Sequence, residues 1–237
     1  VISIEKYAFY DCSSLENIVL PEGITVLSDY LFYNCSSLKE LRIPKSVVDI
    51  EAYTFQFCNR LTQIDIPEGV EHLGGYAFYG CTGLKNISIP DSVQEIGSGA
   101  FDGCTNLREI VLPSGLNSIE SSLFYNCSQI EKICIPSGVT EIGQYAFYGC
   151  SNLKYLWIPE SVTKIGRCSV EKCNSLAIYY EGNEEKWKNI KIEYDNDTLN
   201  KLRKEGAIIY NSTGDESNNA SKNESVRFFE KWDAETQ

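Results

Sequence analysis

The sequence predicts an α/β solenoid, a chain wound in coils so that each turn carries a short strand parallel to the one before. Three registers locked to a single period predict it. Pro21, Pro44, Pro67, Pro90, Pro113, Pro136 and Pro159 stand 23 residues apart and are the chain's 7 prolines. Phe9, Phe32, Phe55, Phe78, Phe101, Phe124 and Phe147 keep the same spacing. So do Cys12, Cys35, Cys58, Cys81, Cys104, Cys127, Cys150 and Cys173. A fixed period of this size marks a repeat architecture, in which each unit hides its apolar face against its neighbours.

Within one unit, "SLKELRIPKSV" (Ser37–Val47) holds the strand. Leu41 and Ile43, two apart, point into the core, and Glu40 and Arg42 point out. Equivalent strands of successive units then lie parallel, about 4.8 Å apart. Proline ends each strand because it lacks an N–H, and it marks a corner of the coil. Val47 and Ile50 form a second apolar pair. A turn follows, often glycine (Gly74, Gly97, Gly143, Gly166), and then a small helix-like turn carrying the phenylalanine and cysteine.

"IPDSVQEIGSGAFDGCTNL" and "IPSGVTEIGQYAFYGCSNL" carry this pattern along their whole length. They resemble the 23-residue BspA-like (Treponema-type) class of leucine-rich repeats, and the resemblance covers Val1 to Leu176. It implies a leucine-rich-repeat right-handed superhelix, a horseshoe with a parallel β-sheet on its concave face and short helical turns elsewhere. It also implies a microbial protein displayed on the cell surface or secreted, with a role in adhesion or host-matrix interaction. Unlike the commoner repeat class, no asparagine ladder follows the strand; proline and valine occupy that stretch.

The 10 cysteines do not read as a disulfide framework. Stacked equivalents have parallel side chains with Cβ atoms nearly 5 Å apart, against about 3.8 Å in a bridge. They read as buried free thiols acting as small apolar fillers. Cys168 departs from the column, and a bridge from it to Cys173 stays open. Tyr10, Tyr33, Tyr79, Tyr125 and Tyr148, with Tyr7, Tyr30, Tyr53, Tyr76 and Tyr145, read chiefly as ring packing between coils on the convex side.

The solenoid spans residues 1–178, about 7–8 repeats, and the rhythm then breaks. Gly182 stands where a proline is due, and Ile178 and Tyr180 replace the inward pair expected at 179 and 181. Residues 179–210 read as a C-terminal cap closing the core. Asn183 caps a short helix with Trp187 and Ile190 on one face; Asp197 caps a second, stopped by Gly206. "AIIY" reads as a last strand. Residues 211–225 are a polar linker. In residues 226–237, "VRFFEKWDAETQ", Phe228, Phe229 and Trp232 share one face of an amphipathic helix, which docks on the solenoid or begins a further domain.

Net charge is −12, and an acidic surface repels phosphate backbones, so nucleic acid is not an expected partner. No run of 18 apolar residues exists, so no membrane insertion is expected. The chain starts mid-pattern, has 0 methionines and reads as a monomeric piece of a longer protein. The 1 histidine, His72, stands in a variable column and reads as solvated. Without it no Cys–His or Ser–His–Asp set assembles, so neither a catalytic group nor a cofactor is expected. Mixed Cys/His metal sites fail on the same ground, and no metal is expected.

What remains is a surface. The outward strand columns, Asn17, Glu40, Gln63, Asn86, Glu109, Lys132, Tyr155 and Val19, Arg42, Asp65, Ser88, Val111, Cys134, Trp157, vary where core columns are uniform. Candidate binding residues are Arg42, Asp65, Glu109, Val111, Lys132, Cys134, Tyr155 and Trp157. Val111, Cys134 and Trp157 form an apolar stripe that is either a contact surface or core covered by the C-terminal segments. The expected function is a non-catalytic recognition module for a protein or glycan ligand; the alternative is a spacer positioning a neighbouring domain.

Overall fold

The computed structural model describes residues 3–211. In order, the chain forms β1 (Val26–Leu27), β2 (Asp49–Ile50), β3 (Gln63–Asp65), β4 (His72–Leu73), β5 (Asn86–Ser88), β6 (Glu95–Ile96), β7 (Glu109–Val111) and β8 (Ser118–Ile119). Then come β9 (Lys132–Cys134), β10 (Glu141–Ile142), β11 (Tyr155–Ile158), β12 (Lys164–Ile165), β13 (Ala177–Tyr180), α1 (Glu184–Lys188), β14 (Lys191–Ile192), α2 (Asp197–Lys204) and β15 (Ile208–Tyr210). All strand pairing is parallel, and up to β12 it keeps the repeat register, with Asn86 of β5 opposite both Gln63 and Glu109.

From Gln63 onward the solenoid coils contribute to two strand columns rather than the one expected, while the stretches at 17–19 and 40–43, where the first concave strands were expected, form no regular strand. The concave column runs β3-β5-β7 and then β9-β11-β13-β15. The second column, β1-β2-β4-β6 and then β8-β10-β12-β14, grows from the Val47/Ile50 pair. Its strands are two residues long, one outward and one inward (Glu95 and Ile96), too short for alternation to show in sequence. Between the columns the proline carbonyls from Pro44 to Pro159 each accept from the N–H three residues on, as in Val47 N to Pro44 O at 3.1 Å. The missing proline N–H and this turn together set the corner.

The third side is where the sequence reading needs correcting: the Phe/Cys segment contains turns and no helix, so helices occur only in the cap among the described residues. Alternate N–H groups donate to the next coil's carbonyls, as in Phe55 N to Ala77 O and Phe57 N to Tyr79 O, both 2.8 Å. Two backbone positions per coil are left-handed, one held by Tyr7, Tyr30, Tyr53, Tyr76 and Tyr145 at φ 56 to 64°. That conformation costs a non-glycine residue about 1–2 kcal/mol. It recurs because it drops each ring onto the next: Tyr30 and Tyr53 stack at 4.6 Å, and Tyr53 and Tyr76 at 5.3 Å. Stacking of this kind contributes about 0.5–1.5 kcal/mol per pair and offsets the strain.

Inside, the phenylalanines from Phe32 to Phe147 are fully buried. Their rings stack in line, with centroids 5.6 Å apart for Phe32–Phe55 and 5.7 Å for Phe101–Phe124. The thiols beside them are free, Cys168 and Cys173 included, so that bridge is not formed. They are more than apolar fillers. Each buried thiol donates to the carbonyl of the phenylalanine one coil back, as in Cys81 Sγ to Phe55 O at 3.0 Å and Cys104 Sγ to Phe78 O at 3.2 Å. The same carbonyl accepts the N–H of its own coil's cysteine, Cys58 N to Phe55 O at 3.1 Å. A thiol fits because it is a compact, weak donor that asks for no second partner. Burial pushes Cys35, Cys81 and Cys173 up to about 12.

The glycines at the second corner answer to space rather than φ. A Cβ on Gly74, Gly97, Gly143 or Gly166 would come within 2.4 to 2.5 Å of backbone atoms in the preceding coil. Sheet pairing lapses once in each column, after β6 and after β7. The turn wall and the phenylalanine stack run through that point, with Phe101 N to Leu123 O at 3.1 Å, so the core is continuous.

The cap forms as the broken rhythm implies. Ile178 and Tyr180 of β13 pair with Leu156 and Ile158, a step of one residue fewer than the repeat. Asn183 Oδ1 accepts from Lys186 N at 2.9 Å and starts α1, which buries Trp187. For α2 the expected Asp197 cap is corrected: Asp197 is the first helical residue and Asn196 the flanking one. Its capping acceptor comes from the solenoid, where Glu171 takes Thr198 N at 2.8 Å and Thr198 Oγ1 at 2.9 Å. Asn196, buried, is spent elsewhere. Its Oδ1 accepts from Ser169 N at 3.1 Å, and its Nδ2 donates to Gly166 O at 3.0 Å and Glu193 O at 2.8 Å. α2 stops at left-handed Gly206, with Ala207 N bonded back to Leu202 O at 2.9 Å. β14 and β15 then extend the two strand columns. The linker (from 212) and the 226–237 segment lie outside the described residues.

Candidate recognition surface on the concave sheet

The concave column positions its outward side chains because strands β3, β5, β7, β9 and β11 alternate about a buried central residue. Gln63 and Asp65 are exposed around buried Ile64, and Glu109 and Val111 around buried Ile110. The parallel register sets these residues in two rows, one strand spacing of about 4.8 Å apart. In one row Gln63, Asn86 and Glu109 are neighbours, as are Lys132, Tyr155 and Ala177. In the other, Asp65, Ser88 and Val111 are neighbours, then Cys134, Trp157 and Tyr179.

The eight candidate residues fall into two groups. Arg42 and Asp65 sit in the amino-terminal half, where they line a groove of about 570 Å³ with Asn17, Glu40 and Gln63. Arg42 reaches Glu22 at 3.9 Å; both are largely exposed, so the pair adds little to stability. Glu109, Val111, Lys132, Cys134, Tyr155 and Trp157 come together on adjacent strands β7, β9 and β11. There Val111, Cys134 and Trp157 line a smaller groove of about 270 Å³, with Glu181 at its rim. Val111 is 44% exposed and Tyr155 38%.

The carboxy-terminal cap enlarges the stripe. The short step into β13 sets Tyr179 on the face away from Ile178 and Tyr180, opposite Trp157, where it is only 7% exposed, and the two rings stack at 6.3 Å and 13°. Tyr155 meets the same ring at 6.1 Å. Tyr179 was absent from the candidate residues, although the slipped inward pair at Ile178 and Tyr180 was the signal that exposes its position. Four apolar residues, Val111, Cys134, Trp157 and Tyr179, thus cross four strands in one line.

His72 lies on the second column, half exposed, with Nδ1 4.0 Å from Glu95. Among the described residues no group of three or more His, Cys, Asp or Glu side chains could hold a metal ion. Among them also, no helix is long and apolar enough to cross a membrane.

Comparison with known proteins agrees with this geometry. The profile of the BspA type leucine rich repeat region matches in 6 copies, over residues 1–98 and 71–193. A leucine-rich repeat protein from Bacteroides ovatus is 30% identical, with a TM-score of 0.67 over 81% of this chain. A leucine rich cell surface protein from Faecalibacterium prausnitzii is 28% identical, with a TM-score of 0.56 over 78% of the chain. A leucine rich repeat protein of T. pallidum is 25% identical, with a TM-score of 0.54 over 82% of this chain and 79% of its own. The chain spans 55% of the Bacteroides protein and 64% of the Faecalibacterium one. No curated protein sequence matches. The register, the two-column coil and the profile agree, and the chain belongs to the BspA type leucine-rich repeat family.

Proposed function

We propose that this chain is a non-catalytic recognition module of a bacterial cell-surface or secreted protein, and that it binds a protein or glycan ligand through the concave sheet. One observation carries the reading. The concave side holds its core rows uniform, while its outward rows change from polar and charged (Asn17, Glu40, Arg42, Asp65) to aromatic (Tyr155, Trp157) along one face. A parallel ladder with buried alternate residues presents these groups preorganised, which lowers the ordering cost of binding. Aromatic and arginine side chains are the types that dominate recognition energetics. The likeness to a protein described as a cell surface protein supports the location.

The test is an array of glycans and matrix proteins probed with the whole chain. Any ligand found is then titrated against Arg42→Ala with Asp65→Ala, and against Tyr155→Ala with Trp157→Ala. A recognition module loses at least tenfold in affinity in one pair while its melting temperature holds. A spacer shows no saturable ligand at all, and that outcome removes the proposal.

A further inference from the structure

The tyrosine columns of the turn wall break at one coil. Tyr10, Tyr33, Tyr79, Tyr125 and Tyr148 share a column in which Gln56 and Asp102 hold two inner places. At Gln56 the lost ring is replaced by Phe57, which meets Tyr33 at 5.8 Å and Tyr79 at 5.1 Å. At Asp102 it is not: the equivalent of Phe57 is Gly103, and the coil's other tyrosine place is held by Gly99. Tyr76 lies over Gly99 so closely that a Cβ there would stand 2.3 Å from its ring. The coil therefore leaves a slot between Tyr79 and Tyr125, which are two coil spacings or about 10 Å apart. Asp102 stands between them, within electrostatic reach of the Tyr76 and Tyr125 hydroxyls. We propose that this slot binds a guanidinium group, held between the Tyr79 and Tyr125 rings with its N–H groups on the Asp102 carboxylate. The site lies on the turn wall, away from the concave sheet, and does not depend on that sheet having a ligand.

Three observations select a flat cation. Asp102 is half-buried, and its carboxyl makes no hydrogen bond or ion pair among the described residues. Burial raises it to about 6, a cost that a cation beside it removes. Tyr125 has one face on Tyr148, at 4.9 Å and 5°, and its other face meets no stacked ring among the described residues. The chain itself shows what such faces take. Toward the carboxy-terminal end of the same columns, Lys172 Nζ lies over Tyr148 at 4.8 Å. There too the Arg167 guanidinium lies between Tyr145 and Tyr194, 5.5 Å and 5.3 Å from the ring centroids, with the Asp195 carboxylate at 3.5 Å. That arrangement has the width of the Asp102 slot and the same parts, two tyrosine rings and a carboxylate, with the cation supplied by the chain. Cation–π attraction strengthens where the site is partly withdrawn from water, as it is at Asp102. The net charge of −12 adds a general attraction for cations.

The test titrates methylguanidinium, and separately a Gly-Arg-Gly peptide blocked at both ends, into the full chain, and follows the amide resonances of Gly99, Asp102 and Tyr125. The expected result is a saturable shift, with a Kd on the order of 1 mM for methylguanidinium. Asp102→Asn weakens binding about tenfold. Asp102→Tyr restores the ring of the column, fills the slot and abolishes binding. Glu71→Gln removes an exposed carboxylate elsewhere and leaves the affinity unchanged, which controls for net charge. Affinity falls as pH drops through about 6. The other titratable groups facing Asp102, the Tyr76 and Tyr125 hydroxyls and the buried Cys104 and Cys127 thiols, keep their protons across that range. A tighter Kd for the peptide than for methylguanidinium assigns the guanidinium to an arginine of a partner protein, and equal values assign it to a small solute. Melting curves check that each variant folds. A shift that does not saturate, or one that Asp102→Tyr or Asp102→Asn leaves unchanged, overturns the inference.

Discussion

Substituting Phe101 by alanine tests whether the coils are held by one continuous aromatic stack. Phe101 is fully buried, between Phe78 at 5.5 Å and Phe124 at 5.7 Å. Neighbouring coils are locked by backbone bonds on up to three sides, so the site cannot collapse around the lost ring. That places the cost at the upper end of the usual range for Phe→Ala, about 4–5 kcal/mol. Phe9 has the same place in its coil, but is only partly buried and stacks on Phe32 alone at 5.3 Å. With one stack and a partly wetted site, Phe9→Ala should cost about 2 kcal/mol. For a fold of this size each kcal/mol moves Tm by about 2–4 °C, so the two variants separate by roughly 5–10 °C in a calorimetric scan. Because a solenoid's stability is carried between nearest neighbours, Phe101→Ala should also split the transition, and Phe9→Ala should not. Equal Tm losses would mean that the rings contribute as independent side chains, and the stacking argument would be wrong.

Further outcomes follow from the cap, the thiols and one carboxylate. Asn196→Ala leaves Ser169 N and Gly166 O buried without partners and should cost about 2–4 kcal/mol, against about 1 kcal/mol for the ordinary helix cap in Asn183→Ala, both read by chemical denaturation. In native protein an aromatic disulfide reagent should titrate exposed Cys12 readily, while Cys35, Cys58, Cys81, Cys104, Cys127, Cys150 and Cys173 react only at the global unfolding rate; fast labelling of any of these contradicts a closed core. Asp102 takes a tyrosine's place between Tyr79 and Tyr125, and burial raises its carboxyl to about 6. Its folded value lies above the unfolded one, so the folded state holds the proton more tightly. The resulting stability is present below pH 4 and lost as pH rises through about 6. Asp102→Asn should therefore flatten that segment of the stability profile and gain about 1–2 kcal/mol at pH 7, and an unchanged profile would refute the burial.

The repeat was legible because packing in a solenoid writes itself at a fixed period. Each phenylalanine meets the same two neighbours, so its column admits one residue type. The alternation of the concave face showed for the same reason, with Leu41 and Ile43 buried and Glu40 and Arg42 exposed, although regular strands on that face begin only one coil later, at Gln63–Asp65. The second strand column did not, since a two-residue element such as Glu95–Ile96 is shorter than any alternation. Nor did the left-handed turns. Tyr30, Tyr53 and Tyr76 are not residues that announce positive φ, and their strain is relieved by rings one coil away. Local rules also misplaced the cap of α2, whose acceptor, Glu171, lies 27 residues back on the solenoid. On the candidate surface the two outward rows could be read directly. Tyr179 could be read only by carrying the one-residue slip forward to the outward side.

The cap and the surface are two consequences of that slip. A solenoid that simply stopped after Leu176 would leave the Phe147 coil and its hydrogen-bonding wall open to water. The chain closes it with side chains standing in for backbone: Asn196 bonds Ser169 and Gly166, Glu171 holds α2, and Arg167 is sandwiched at 5.5 Å and 5.3 Å between Tyr145 and Tyr194. Closing the end this way requires β13 to enter one residue early, which keeps Ile178 and Tyr180 in the core. The same shift turns Tyr179 outward against Trp157. The line from Val111 to Tyr179 therefore passes from an exposed valine, through half-buried Cys134 and Trp157, to a buried tyrosine. It is built by the element that completes the core, on the sheet that the repeat leaves free to vary. If restoring the regular step, by inserting one residue before Ala177, preserved both cap stability and the stacking of Tyr179 on Trp157, read by near-ultraviolet circular dichroism, closure and stripe would be separable, and the coupling would fail.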